Sequence, residues 1–293
     1  VSKAGGIGIM QPISLTYVHG HEFRQGIRLM RDITDKPIGM NALIEKSSTK
    51  YQQRMSEWID IALEEGIRFF VTSLGKPDWV AKRVHAAGGL VYHDVTELKW
   101  AKIGLDNGAD GLICVNNRAG GHAGEKSMQT LYDELQSLDA SLVCAGGVGD
   151  SQGLWEALDY GYAACQLGTR FIASSECRAS AVYKQAIIDA QESDIVLSEK
   201  VTGIPVSVIN TDYIKRSGTE LGWFSRWMLS GNRSKHWMRM YFGLKSIWQL
   251  KHSSLDEKGE KDYWQAGKSV AGIKRIDDCD SIMQQLLSKT ENK

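Results

Sequence analysis

The chain carries no excess of either charge: 35 lysines and arginines balance 35 aspartates and glutamates over 293 residues. No net field therefore draws it toward nucleic acid or an anionic membrane, and a small ligand of modest charge is the expected partner. It has no run of about 18 uncharged apolar residues, the length an α-helix needs to span a bilayer. The first residues also lack the basic-then-apolar order of a secretory signal. Five cysteines (Cys114, Cys144, Cys165, Cys177 and Cys279) show no Cys-x-x-Cys spacing. Three of them sit in apolar runs, where a free thiol behaves as a small hydrophobe. The expected setting is reducing and cytoplasmic.

What is present is enough apolar material for a full core, 42% of residues, arranged with a regular beat. Short runs rich in Val, Ile, Leu and Phe alternate with longer segments of helical spacing, the pattern of β-α units in a parallel sheet. The runs are Ile7–Met10, Pro37–Leu43, Phe69–Leu74, Leu90–Asp94, Gly111–Val115, Leu142–Ala145 and Ala163–Leu167. Gly66, Gly88, Gly108 and Gly161 each stand just before a strand, where glycine supplies the left-handed backbone that ends a helix. Seven such strands fit an open doubly wound sheet or an incomplete barrel. Val1 to Gly6 reads as the end of a helix with its glycine cap, so an earlier strand is expected. The fold class expected is an α/β (β/α)8 TIM-type barrel whose first strand is missing from the chain.

In such barrels ligands sit at the C-terminal strand ends, and a phosphate is commonly held by the loops after the last two strands. Here those loops read Cys144 to Asp150 (CAGGVGD) and Gln166 to Phe171 (QLGTRF). Gly146 and Gly147 allow backbone amides close to an anion, and Gly168 with Thr169 offers a second amide pair and a hydroxyl. A third strand end, Ile113 to Gly124 (ICVNNRAGGHAG), surrounds one histidine with small residues. Gly120 and Gly121 permit a tight turn against a flat ligand, presenting the imidazole of His122, a natural proton acceptor near neutral pH. His93 ends a strand and reads equally as a site residue or a satisfied core residue. His19 and His21 have no third ligand nearby in sequence, so no metal is expected.

These segments resemble the flavin-dependent nitronate monooxygenases, formerly 2-nitropropane dioxygenases, and their relatives the flavin-type enoyl-acyl-carrier-protein reductases. The resemblance rests on VSKAGGIGIM (Val1 to Met10), KPIGMNAL (Lys36 to Leu43), RAGGHAG (Arg118 to Gly124), CAGGVGD, QLGTRFIAS (Gln166 to Ser174) and WQAGKSVAGI (Trp264 to Ile273). It implies an FMN cofactor: Asn41 contacting the flavin, Gly146, Gly147, Gly168 and Thr169 at its phosphate, with Gly120, Gly121 and Lys268 completing the cofactor-binding set. It implies that His122 is the catalytic base that deprotonates a nitroalkane beside its nitro group, with a nitronate or nitroalkane and oxygen as reactants. Two positions depart from the family pattern. Arg118 stands where an acid is common, and Lys268 where glutamine is usual. Each adds positive charge, a change that favours an anionic substrate such as a nitronate or a reduced flavin anion.

Two other functions fit the same residues. An NAD(P)H-dependent flavin reductase of quinones or enoyl thioesters would use the same barrel, and the absence of a Gly-x-Gly-x-x-Gly turn does not count against it. A phosphate-binding barrel without redox chemistry would want a carboxylate or lysine at a strand end, for which Asp94 and Lys99 are the candidates. The composition divides the chain into a barrel, 1–192 with 261–293, and a small helical substrate or lid subdomain, 193–260. Within the latter, eight basic residues between Lys215 and Lys251 face only Glu220, and Trp237, Tyr241, Leu244 and Trp248 form an apolar stripe at helical spacing. That stripe packs on the barrel or makes a subunit contact, so a homodimer is among the expectations.

Overall fold

A computed structural model describes residues 1–45, 48–200, 203–221 and 263–289. The aromatic stripe at Trp237 to Trp248 lies outside the described residues. Seven strands form one sheet in sequence order: β1 (Gly8–Met10), β2 (Ile38–Leu43), β3 (Phe69–Ser73), β4 (Leu90–Val95), β5 (Gly111–Val115), β6 (Ser141–Ala145) and β7 (Ala164–Gln166). β1 through β5 pair in parallel register. Between them run α1 (Phe23–Ile33), α2 (Thr49–Glu64), α3 (Asp78–Ala86), α4 (Leu98–Asp106), α5 (Met128–Leu135) and α6 (Ser151–Tyr160). This is the α/β fold of the TIM-barrel type, and all seven expected strands are present. The four glycines read as helix stops have φ of +81° at Gly66, +72° at Gly88, +91° at Gly108 and +124° at Gly161.

Three of these helix starts follow polar side chains that accept from otherwise unpaired first-turn amides. The Glu22 carboxylate accepts from Arg24 and Gln25 N–H at the head of α1, Ser48 from Tyr51 N–H at α2, and Ser127 from Thr130 N–H at α5. Residues Val1 to Gly6, expected as a helix end, form a hydrogen-bonded turn in which Gly5 has φ of +98°.

The chain divides into two compact units. The first comprises Val1–Val115, Lys126–Cys144 and Ala157–Cys165. Its strands alternate faces with the period of two that a pleat imposes. Met40, Ala42, Phe70 and Val91 pack with Ile27 of α1, Met55 and Ile59 of α2, and Val80 and Val84 of α3 in one buried cluster. Phe70 and Ile59 are fully buried, each contributing roughly 1.5–3 kcal/mol by leaving water. Asn41, Tyr92 and Asp94 occupy the opposite parity of β2 and β4 and so the opposite face. His93 shares the helix-facing parity: its ring packs against Gly104 of α4, where a Cβ would lie 2.9 Å from Cδ2, and Nδ1 is 2.9 Å from Thr72 Oγ1. Of its two expected readings, the core histidine is the one found. Cys114, in β5, is buried and its thiol is pushed up to about 12 by that burial, as expected of a structural rather than a reactive cysteine.

The second unit comprises Asn116–Glu125, Ala145–Glu156 and Gln166–Lys293. It contains α7 (Thr169–Ile172), α8 (Ala181–Asp189), the antiparallel strands β8 (Ile195–Ser198) and β9 (Val206–Ile209), α9 (Asp212–Ser217) and α10 (Cys279–Leu287). The segment expected to be a helical subdomain therefore begins, in its described part, with a two-stranded hairpin. The unit's core gathers Ala173, Tyr183, Ile187, Ile209, Trp264, Ala266, Val270 and Ile273. Tyr183 and Trp264 stack with centroids 5.6 Å apart and planes 11° from parallel, and the Tyr183 hydroxyl donates to Gln265 O. Tyr183→Phe should lower the stability of the chain by about 1–2 kcal/mol, because it leaves that carbonyl without its donor. An unchanged denaturation midpoint would show that the bond contributes nothing.

Candidate active site

Three loops of the second unit meet through glycine, and Asn116 organises them. This asparagine follows β5 and is fully buried. Its N–H donates to Ala145 O at 3.0 Å, its Nδ2 to Gly146 O at 3.0 Å, and its Oδ1 accepts from Arg118 N–H at 2.8 Å. Its carbonyl accepts from the N–H groups of Ala119 and Gly124, both at 3.2 Å. One residue thus closes the histidine loop through its backbone carbonyl and, through its side-chain amide, ties that loop to the glycine pair after β6. Sequence reading missed Asn116; the available signal was the first of two asparagines directly after an apolar strand, since a buried amide must satisfy its polar atoms.

Gly146 and Gly147 have φ of +122° and +85°, a region that side chains rarely adopt. A Cβ on Gly146 would lie 2.3 Å from Asn116 Oδ1, and one on Gly147 would lie 2.6 Å from Arg118 Nε. The third loop enters from Gly267, whose Cβ would stand 2.6 Å from Gly120 N, while Lys268 N–H donates to Arg118 O at 2.9 Å. Thr169 Oγ1 accepts from Gly267 N–H at 3.0 Å, which leaves its own proton to donate. Beside Gly168 no atom lies within 4 Å of the place a Cβ would take. The expected phosphate-cup residues Gly146, Gly147, Gly168 and Thr169 are thus in one unit with Gly120, Gly121, His122 and Lys268.

His122 follows Gly121, whose φ is +69° and whose carbonyl accepts from Ser207 N–H of β9 at 2.7 Å. The next residue but one of β9, Ile209, donates to Trp264 O at 2.9 Å. The hairpin therefore pins the histidine loop on one side and the Trp264–Gln265 segment on the other. His122 is exposed to solvent at its surface, yet the protein around it disfavours the imidazolium and lowers its pKa. A histidine so placed is neutral at neutral pH and ready to accept a proton.

The two unusual cations meet one carboxylate. Arg118 Nη2 lies 2.9 Å from Glu192 Oε2, and Lys268 Nζ lies 3.7 Å from Glu192 Oε1. Glu192 was not anticipated: it stands far from both in sequence and carries no local motif. Arg170, of the GTRF segment, is buried and makes an ion pair with Asp277 at 2.9 Å while donating to Ala173 O and Arg275 O. Its role is to fasten that segment to the C-terminal residues.

Asn41 and Asp94 belong to the first unit. Asn41 Oδ1 and Asp94 Oδ1 are buried and lack a partner among the described residues. Burial pushes the Asp94 carboxyl up to about 7. Lys99 lies on α4 with its ammonium 4.8 Å from the Trp100 ring centre, on a helix rather than at a strand end. Among the described residues no three of His, Cys, Asp and Glu gather into a metal-binding group, and no helix is long and apolar enough to cross a membrane.

Comparison with known proteins supplies the family. A model of the family described as nitronate monooxygenase matches residues 1–289. A (3aS,4S,5R,7aS)-5-hydroxy-7a-methyl-1-oxo-octahydro-1H-indene-4-carboxyl-CoA dehydrogenase of Rhodococcus jostii is 29% identical over 265 residues, covering 90% of this chain and 72% of that one. The chain spans 59% of the length of the Mycobacterium tuberculosis enzyme of the same name. A probable nitronate monooxygenase of Staphylococcus saprophyticus is 24% identical, covering 74% of this chain and 72% of that one. Among solved structures, FabK from Thermotoga maritima superposes with a TM-score of 0.79 at 25% identity, over 98% of this chain and 85% of that one. Nitroalkane oxidase from Streptomyces ansochromogenes shares the fold, with a TM-score of 0.74 at 20% identity over 98% of this chain and 88% of that one. The phosphate-binding barrel without redox chemistry is set aside by these matches. The chain belongs to the nitronate monooxygenase family and is a flavin-dependent oxidoreductase acting on a small molecule.

Proposed function

We propose that the chain is an FMN-dependent nitronate monooxygenase, oxidising alkyl nitronates with oxygen, in which His122 is the base that admits neutral nitroalkanes to the reaction. The observation that carries this reading is an imidazole, in surroundings that disfavour its charged form, on a loop fixed by Asn116 and β9 in the same unit as the two glycine loops. The residues fit the cofactor. The left-handed Gly146–Gly147 pair, the open space beside Gly168 and the Thr169 hydroxyl suit a phosphate monoester. In the first unit taken by itself, Asn41 Oδ1 is buried without a partner among the described residues, an acceptor suited to a ring N–H such as a flavin carries. Gly120, Gly121 and Lys268 complete the second unit's set of residues that would hold it.

When bound, FMN supplies the acceptor for the substrate's electrons and their onward transfer to oxygen, chemistry that no side chain here can perform. The protein's own contribution is orientation and proton transfer. His122 takes the proton on the carbon beside the nitro group, turning a neutral nitroalkane into its nitronate. A preformed nitronate needs no such step. Arg118 and Lys268 exceed Glu192 by one positive charge, which favours an anionic reactant.

A second reading is an NAD(P)H-dependent flavin reductase of quinones or enoyl thioesters. It is favoured by the 29% identity to an enzyme named as a carboxyl-CoA dehydrogenase. The visible spectrum of the purified protein during anaerobic additions separates the two. Bleaching of a flavin band by an alkyl nitronate, and not by NADH or NADPH, is expected. Bleaching by a nicotinamide alone would replace the first reading with the second, and no flavin band even after FMN is added would remove both.

A further inference from the structure

We propose that Arg118 is a charged ligand of the flavin's phosphate monoester, aimed by Glu192; this rests on the FMN reading above. The glycine pair after β6 provides close backbone approach but no charge, and a phosphate dianion away from bulk water calls for a cation with hydrogen bonds to give. Arg118 is the residue placed to supply them. Its Nε lies 2.6 Å from where a Gly147 Cβ would be, and its Cδ 3.0 Å. The guanidinium thus lies along the very glycine expected to face the phosphate, and a side chain on Gly147 would displace it.

The backbone of Arg118 is fixed on both sides. Its N–H donates to Asn116 Oδ1 at 2.8 Å and its carbonyl accepts from Lys268 N–H at 2.9 Å. Beyond the glycine, Nη2 meets Glu192 Oε2 at 2.9 Å. A guanidinium has five N–H donors in a flat fork, and Nη2 is the one placed against the carboxylate, which leaves others for a phosphate beside Gly147. Arg118 and Glu192 are each 40% exposed and Lys268 is 36% exposed, so solvent and a ligand reach the group. Lys268, on the other oxygen of Glu192, holds that carboxylate in place and keeps the local charge positive.

FMN and riboflavin differ only in the phosphate, so the ratio of their affinities isolates it. The protein, stripped of flavin, is titrated with each and followed by quenching of flavin fluorescence, alongside Arg118→Gln and Arg118→Lys. The wild type is expected to prefer FMN. In Arg118→Gln that preference should fall by about tenfold or more, the size of one charged hydrogen bond, with riboflavin affinity unchanged. Arg118→Lys should recover part of the preference, because it restores the charge without the fork. An undiminished preference for FMN in Arg118→Gln would overturn the proposal while leaving FMN as the cofactor. An equal loss of riboflavin and FMN affinity would overturn it too, since the substitution would then act through the loop and not the phosphate. Failure of the wild type to bind either flavin would overturn the FMN reading and this proposal together.

Discussion

His122→Ala should slow turnover of a neutral nitroalkane by about 10²–10⁴-fold, the usual worth of a positioned general base, while turnover of the preformed nitronate falls by about tenfold or less. The contrast follows from where the proton is. A nitroalkane carries it on carbon and must lose it before its electrons can leave, whereas the nitronate has already lost it. The imidazole is suited to this task because the protein around it lowers its pKa. It is free of its proton at neutral pH, and the rate on nitroalkane should climb with pH and level off below the ordinary histidine range. Flavin content should be retained, since the alanine leaves Gly120 and Gly121 in place. Steady-state rates on a matched nitroalkane and nitronate pair, normalised to bound flavin, decide the matter. Equal losses on both substrates would remove the base role and leave His122 as a binding residue, and loss of flavin would place it in the cofactor's site instead.

The parts of the site that were legible in the sequence are those made by backbone. Gly146 and Gly147 were expected for close backbone approach, and the structure gives both a left-handed φ; the helix-ending glycines announced the strands because that conformation favours glycine. His122 stood out in the sequence because small residues on both sides left one functional group to explain, and its role as a base is a proposal. What stayed hidden was made by side chains meeting across the chain. Asn116 joins two loops through its amide, and Glu192 collects Arg118 and Lys268, pairings that no local pattern encodes. The charges of Arg118 and Lys268 were read as a gain of positive field; the carboxylate between them offsets about half of it.

Strand parity explains another difference. His93 and Asp94 are neighbours in β4, and a pleated strand sends neighbours to opposite faces, so only one of them can share a face with Asn41. Period alone does not say which, because β4 is half-buried or more along both faces from Val91 onward. The hairpin of β8 and β9 was missed for a related reason. Its eight strand residues lie where the composition shifts toward a basic, aromatic segment, and Val206 to Ile209 is too short for its alternation to stand out from that background.

That parity places two buried titratable groups back to back in one strand, with opposite effects on stability. Burial pushes Asp94 up from 3.8 to about 7 and lowers His93 from 6.5 to about 4. The folded chain therefore holds a proton on Asp94 that the unfolded chain releases, so the stability associated with Asp94 is complete below pH 4 and is lost as pH rises toward 7. His93 has the reverse sign: the unfolded chain takes up a proton that the folded chain refuses, so stability is lost as pH falls from 6.5 toward 4. Each pH unit between the folded and unfolded values is worth about 1.4 kcal/mol. Over the shared window of about pH 4 to 6.5 the two slopes cancel and the wild type shows neither. Asp94→Asn should uncover the histidine, giving stability that climbs by about 3 kcal/mol across that window, and should exceed the wild type by about 4 kcal/mol at pH 8. His93→Gln should do the opposite, its stability falling as pH rises whatever constant cost the new side chain adds. Urea denaturation across the pH range reads both slopes. Parallel profiles for wild type and Asp94→Asn would mean that Asp94 titrates as an ordinary carboxylate, and that its buried oxygen finds in solution the partner it lacks among the described residues.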